Sequence, residues 1–178
     1  MAFHRDFAFE DFQNILRLCI PHTLMAFLIL LSFAPLSFAG VDLSSSSFVL
    51  MALYYWAIYR PTLYAPASVF GIGLLIDFIS GMPPGLNALL FVLIQWLIRE
   101  QRRFLMGQTF VVKWIIFGLV LTGFEGFLWG LAGLPHFEWS MDLLQKTSIV
   151  ALFSWLLFPL VIRLLIITHH FLPEQRRV

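Results

Sequence analysis

The amino-acid sequence predicts an all-α protein, a polytopic transmembrane helical bundle of about six spans forming one domain over residues 1–178. Three observations lead there. Hydrophobic residues make up 60% of the chain and charged residues only 12%, about half the ~25% of a soluble domain. Mean hydropathy is +0.88, and a chain of this size has too little polar material to coat a water-soluble globule, whose surface is large relative to its volume. The remaining two observations are long runs without Asp, Glu, Lys or Arg, and a one-sided distribution of the basic residues that bound them.

A helix needs about 20 residues to cross ~30 Å of hydrocarbon. The uncharged runs place spans at about 18–41, 43–59, 61–80, 86–98, 111–134 and 143–167, with Asp77, Glu125 and Arg163 inside the third, fifth and sixth, and Lys113 and Lys146 near their ends. The fourth run is short. Gly81-Met82-Pro83-Pro84-Gly85 separates it from the third, because paired prolines remove donors and clash with a preceding helical turn. Basic residues collect on the cytoplasmic side of a membrane. With both termini cytoplasmic, that side holds Arg5, Arg17, Arg60, Arg99, Arg102, Arg103, Lys113, Arg163, Arg176 and Arg177, ten of the eleven basic residues, leaving Lys146 outside. The external loops then carry Asp42, Glu138 and Asp142. Ser37-Phe38-Ala39 has the small-x-small form of a signal-peptidase site, but the apolar run before it is too long and Asp6, Glu10 and Asp11 spoil a basic n-region. The first segment is therefore expected to stay as a span. Phe3 and Phe7, four residues apart, suit an interfacial helix; a disordered tail is the alternative.

A net charge of +1 argues against a nucleic-acid partner, which selects a basic patch. The single cysteine, Cys19, excludes an internal disulfide and a thiolate zinc site. No Glu-x-x-His or Gly-x-Ser-x-Gly element occurs, Asp77 arrives three residues too late for a Gly-x-Gly-Asp protease motif, and His169-His170 lie beyond the last span. No enzyme activity, cofactor or metal is expected.

Acids within spans are costly and normally face protein or water. Asp77 shares a helical face with Gly73 and Gly81, four residues to either side. Glycines so placed allow another backbone to approach, and Asp77 then accepts hydrogen bonds from that neighbour or pairs with Lys146, at similar depth on the sixth span. Glu125 lies deeper, beside a stripe of Gly123, Gly126, Gly130 and Gly133, which reads as a docking surface for another span or for a different protein. Arg60-Pro61 forms a sharp turn between the second and third spans, where a proline suits a helix start. Tyr54, Tyr55, Trp56 and Tyr59 end the second span as an aromatic belt does.

The run Tyr54-Tyr55-Trp56-Ala57-Ile58-Tyr59-Arg60-Pro61, then Gly71-Ile72-Gly73-Leu74-Leu75-Ile76-Asp77-Phe78-Ile79-Ser80-Gly81 and Gly85-Leu86-Asn87-Ala88-Leu89, resembles the MreD family of rod shape-determining proteins. The match covers about 45 residues, from the second span into the fourth. The resemblance implies a fold similar to the substrate-binding component of energy-coupling-factor transporters. It also implies a non-enzymatic scaffold of the bacterial inner membrane that works with the bitopic protein MreC, the polymerase RodA, a class B penicillin-binding transpeptidase and, directly or indirectly, the filament MreB in lateral peptidoglycan synthesis. Asp77, Gly73, Gly81, Gly85, Arg60, Pro61, Glu125, Gly126, Gly130 and Lys146 are the residues expected to carry structure or partner binding. A vitamin-type transporter component is the alternative, and the sparse polar content of its external loops tells against it.

Overall fold

A computed structural model of the chain describes residues 19–33, 37–38, 41–42, 47–133 and 141–170. Apart from a two-residue antiparallel pairing of Ser37–Phe38 with Val41–Asp42, the described residues are built from seven helices. These are α1 (Cys19–Ser32), α2 (Ser47–Tyr59), α3 (Pro66–Ser80), α4 (Leu86–Glu100), α5 (Arg102–Gly107), α6 (Phe110–Gly133) and α7 (Met141–His170). The segment carrying Phe3 and Phe7, the loop with Glu138, and the side chains of Gly133, Asp142 and His169-His170 lie outside the described residues.

Among the described residues, only α6 and α7 are long and apolar enough to cross a membrane by themselves; at 24 and 30 residues they extend about 36 and 45 Å. The first uncharged run does not become one long helix. α1 stops at Ser32, followed by a turn at Phe33, because Pro35 disfavours helical geometry in the residue before it. The third helix also starts later than the sequence suggests. Ala65 is extended (φ −64°, ψ 151°) and Pro66 takes the first helical position, so the proline that opens α3 is Pro66, while Pro61 lies in the preceding turn.

The core forms around α2. Every residue from Ser47 to Ile58 is buried, as expected of a helix apolar on all sides, and α4, α5, α6 and α7 surround it. The Tyr54 ring meets Phe117 of α6 and Phe158 of α7 edge-on at 5.3 and 5.8 Å, and those two rings stack on each other at 4.0 Å. Higher on the same pair of helices, the Trp114 and Trp155 rings stack at 4.7 Å. Each indole N–H donates to the other residue's carbonyl, at 2.9 and 3.0 Å. Pro159 explains half of that exchange: it has no N–H, so it cannot bond the carbonyl four residues back, and the carbonyl it leaves is that of Trp155.

Helix approach is closest at two glycines. A Cβ on Gly73 would stand 2.2 Å from Ala88 Cα, and one on Gly118 would stand 2.6 Å from Trp155 Nε1. Gly73→Ala should therefore force α3 off α4, lowering the thermal stability of the detergent-solubilised chain by at least the ~1–3 kcal/mol typical of overpacking. Gly71→Ala, with nothing within 4 Å of its Cβ position, should leave stability unchanged or raise it by up to ~1 kcal/mol through helix propensity.

Candidate functional site

Asp77 is fully buried on the last turn of α3, and its carboxylate closes the N-terminus of α4. Oδ1 accepts the backbone N–H of Asn87 at 3.0 Å and its side-chain Nδ2 at 2.8 Å. Oδ2 accepts the N–H of Gly85 at 2.9 Å and, at a longer 3.4 Å, that of Ala88. The first N–H groups of a helix have no partner within it, and together they carry about half a positive charge. A carboxylate there forms charge-assisted hydrogen bonds, and it needs no cation to be held. Asp77 is thus a cap supplied from the neighbouring helix, since Gly85 at the N-cap position has no side chain to do it.

Three glycines make this geometry possible, each for its own reason. Gly73, one turn before Asp77, lets the α4 backbone approach. Gly81 (φ 66°) ends α3 in the left-handed conformation that glycine adopts freely, with its N–H on the Asp77 carbonyl. Gly85 (φ 100°) turns the chain into α4. The expectation that Gly81 admits another backbone does not hold, since no atom lies within 4 Å of its Cβ position.

The Lys146 partnership is corrected by the same contacts. All polar partners of Asp77 lie in the turn before α4 or in its first residues, whereas Lys146 is exposed on α7. Arg60 and Pro61 belong to a second cluster at the other end of the α3–α4 hairpin. There Arg99 Nη2 donates to the carbonyls of Pro61 and, at 2.6 Å, Tyr64, and Gln95 Nε2 donates to that of Tyr64 at 2.9 Å. Arg102 Nε donates to Ile58 O at 2.7 Å, adding a cation where the dipole of α2 ends. Sequence reasoning missed Asn87, Gln95 and Arg99. The first was readable as a turn-type residue beside Gly85, and the last as the basic residue closing an otherwise uncharged run.

Glu125 is buried on α6 and accepts from Ser47 Oγ at 3.2 Å, tying α6 to the start of α2. It also lines a groove of about 140 Å³ between α6 and α7 with Thr122, Gly126, Trp129, Thr147 and Ser148. Gly123, Gly126 and Gly130 have no atom within 4 Å of their Cβ positions, so no described span of this chain docks on them. Among the described glycines of α6, the one that meets another span is Gly118.

The described residues define a helical bundle, with two helices long and apolar enough to cross a membrane, whose buried acid Asp77 is engaged by its own backbone. Within that class the particular family follows from the chain as a whole: it belongs to the MreD family, the model of the rod shape-determining protein MreD matching residues 12–167. The protein is a rod shape-determining membrane protein, of a family that is structural and part of the MreBCD shape-determining system. No curated protein and no solved structure matches the chain.

Losing the cap leaves buried N–H groups without acceptors, each costing about 1–3 kcal/mol. Asp77→Ala should lower stability by roughly 3 kcal/mol or more, and Asp77→Asn by less, because an amide oxygen still accepts and Asn is a good capping residue. Lys146→Ala should be close to neutral, and its effect should add to that of Asp77→Ala within about 0.5 kcal/mol in thermal unfolding, as for independent sites.

Proposed function

We propose that this chain acts as a non-enzymatic scaffold in the bacterial cytoplasmic membrane, holding partners of the lateral wall-synthesis machinery by the open face of α6. The observation that carries this reading is the contrast between its glycines. Gly118 is filled by Trp155, while Gly123, Gly126 and Gly130 stand beside the buried Glu125 with nothing against them. Small residues on a lipid-side face let a second transmembrane helix approach closely, and hydrogen-bonding side chains nearby add to such contacts. The partner that fits this face is the bitopic protein MreC, and through the same assembly RodA, a class B penicillin-binding transpeptidase and MreB. Asp77, Gly73, Gly81, Gly85, Arg60 and Pro61 maintain the shape that presents this face. The transporter reading draws no support from the family match.

In this reading both termini are cytoplasmic and α1, α2, α3, α4, α6 and α7 are embedded in the bilayer. The charge distribution supports it: Arg60, Arg99, Arg102, Arg103 and Lys113 lie where α2 and α4 end and α5 and α6 begin, and positive charge favours the cytoplasmic side. Reporters fused after Val178 or at Arg102 should read as cytoplasmic, and one at Glu138 as external. An external reading at Val178 would mean that the number of spans is wrong, the short fourth run being the first suspect.

Gly126→Leu tests the docking face. Open space surrounds Gly126, so the variant should accumulate to wild-type levels and unfold at the wild-type temperature. It should nevertheless lose co-purifying MreC from native membranes, and give rounded cells in a rod-shaped host depleted of its own copy. Rods with MreC still bound would remove the face from the scaffold's function.

A further inference from the structure

Five of the eight charged residues between Ser47 and Gly133 are Arg60, Arg99, Arg102, Arg103 and Lys113, and they meet at one end of the bundle. Four of these five converge on one stretch of chain, the end of α2 and the turn that follows it. Arg102 Nε donates to Ile58 O at 2.7 Å. Lys113 Nζ donates to the Tyr59 hydroxyl at 3.1 Å and stands 5.3 Å from the centre of that ring. Arg60 is the next residue, and Arg99 Nη2 reaches the carbonyls of Pro61 and Tyr64. Arg103, on α5, is exposed. The groups that hold Arg99, Arg102 and Lys113 are carbonyls and a phenol, which satisfy donors but leave the positive charge in place. Among the described residues the one acid at this end is Glu100, exposed beside Arg99. Glu125 bonds Ser47 at the opposite end of α2, and Asp77 lies at the opposite end of the α3–α4 hairpin. Like charges gathered this closely repel one another, and an anion among them relieves the repulsion.

Two features identify the class of that anion. The first is depth. Lys113 is the fourth residue of α6, only about 5 Å along a helix able to cross a membrane. Val111 and Ile115, to either side of it, are exposed apolar residues, so the cations stand at the edge of the hydrocarbon, where lipid phosphates lie. The second is what accompanies the charge. α5 buries Leu105 in the core and exposes Phe104 and Met106, at 56% and 50% of their surface, on either side of it. An acidic soluble partner matches the charges alone, whereas a phospholipid presents a phosphate and an apolar body together. Four to eight basic residues beside a span attract anionic headgroups, and basic pockets between helices hold them. Guanidinium groups suit phosphate in particular, because their paired donors match two of its oxygens.

We infer that the end of α2, α5 and the start of α6 form a binding site for the phosphodiester headgroup of an anionic phospholipid such as phosphatidylglycerol. Arg60, Arg102, Arg103 and Lys113 supply the positive charge, and Phe104 and Met106 the apolar border. That the lipid belongs to the cytoplasmic leaflet rests on the orientation proposed above. The site lies at the other end of α6 from Gly123, Gly126 and Gly130, so a lipid here and a helix docked there do not compete.

The test titrates the purified full chain in dodecyl maltoside with phosphatidylglycerol and follows the midpoint of thermal unfolding. Phosphatidylglycerol should raise the midpoint and saturate, and phosphatidylcholine, which has no net charge, should leave it unchanged. Arg103→Gln, at an exposed position, should unfold at the wild-type midpoint without lipid. It should weaken the apparent affinity for phosphatidylglycerol about fivefold, the effect of one basic residue at an anionic surface. Lys113→Gln should weaken it comparably, and Lys146→Gln, near the start of α7, should not. An equal response to phosphatidylcholine would overturn the inference. So would an equal response to glycerol phosphate, since a free phosphate would then serve as well as a lipid. If Arg103→Gln and Lys113→Gln both keep the wild-type affinity, the lipid binds elsewhere and the inference fails; loss of co-purifying proteins by the same variants would then give the surface to a protein partner. The reporter at Arg102 reads orientation separately: an external signal would overturn the choice of leaflet and leave the titration in detergent as it is.

Discussion

The carboxylate of Asp77 against the first turn of α4 is the contact on which the rest of the arrangement depends. An ionisable group inside a membrane protein must find charge or hydrogen bonds, and a helix N-terminus supplies both in one place. Meeting that requirement fixes three other things. The helix receiving the carboxylate must begin within reach of the one that carries it, so the turn is short. The backbones must approach, so Gly73 has no room for a methyl group beside Ala88. The chain must then reverse through left-handed residues, so Gly81 and Gly85 are glycines. The motif of acid and glycines is a mechanical unit whose parts make sense only together.

That unit also explains which parts of the structure were legible in the sequence and which were not. The helical membrane class, the long α6 and α7, and the importance of Asp77 and Gly73 follow from composition, charge-free runs and four-residue spacing. The partner of Asp77 was legible only as one of two alternatives: the flanking glycines pointed to a neighbouring backbone, while a buried acid also suggests a cation, and Lys146 lies at similar depth. The actual partners are backbone amides, which every residue but proline carries, together with the Asn87 side chain. The end of α1 at Ser32 and the start of α3 at Pro66 were obscured for a related reason: hydropathy is blind to where prolines interrupt helical geometry. Gly118 passed unnoticed because it lies outside the regular stripe, while the described glycines of the stripe itself, the more conspicuous pattern, have nothing within 4 Å of their Cβ positions.

The two ends of the α3–α4 hairpin solve opposite problems. At the Asp77 end an acid satisfies amide donors at a helix start; at the Arg99 end a guanidinium and the Gln95 amide satisfy carbonyl acceptors in the turn that precedes Pro66. Arg102 on Ile58 O extends the same logic to the end of α2. Asp77, Arg99 and Arg102 each stand where the local backbone dipole has the opposite sign, and these contacts hold them without a partner of opposite charge. The Trp114–Trp155 exchange does comparable work without charge, with one indole taking up the carbonyl that Pro159 leaves behind.

The groove beside Glu125 differs from the sites of Asp77, Arg99 and Arg102. Glu125 is held to α2 by Ser47, so it helps to fix α6 against the core, yet it also faces a groove whose neighbouring glycines are open. The same helix is thus anchored on one side by Trp155 over Gly118 and left smooth on the other at Gly123, Gly126 and Gly130. A helix meant only for lipid gains nothing from glycines, which cost about 1 kcal/mol each relative to alanine in a helix interior. Retaining three of them on one exposed stretch is consistent with a second helix seated there, and a scaffold built this way keeps its own fold independent of its partner: the cap, the arginine turn and the tryptophan pair are complete before anything docks.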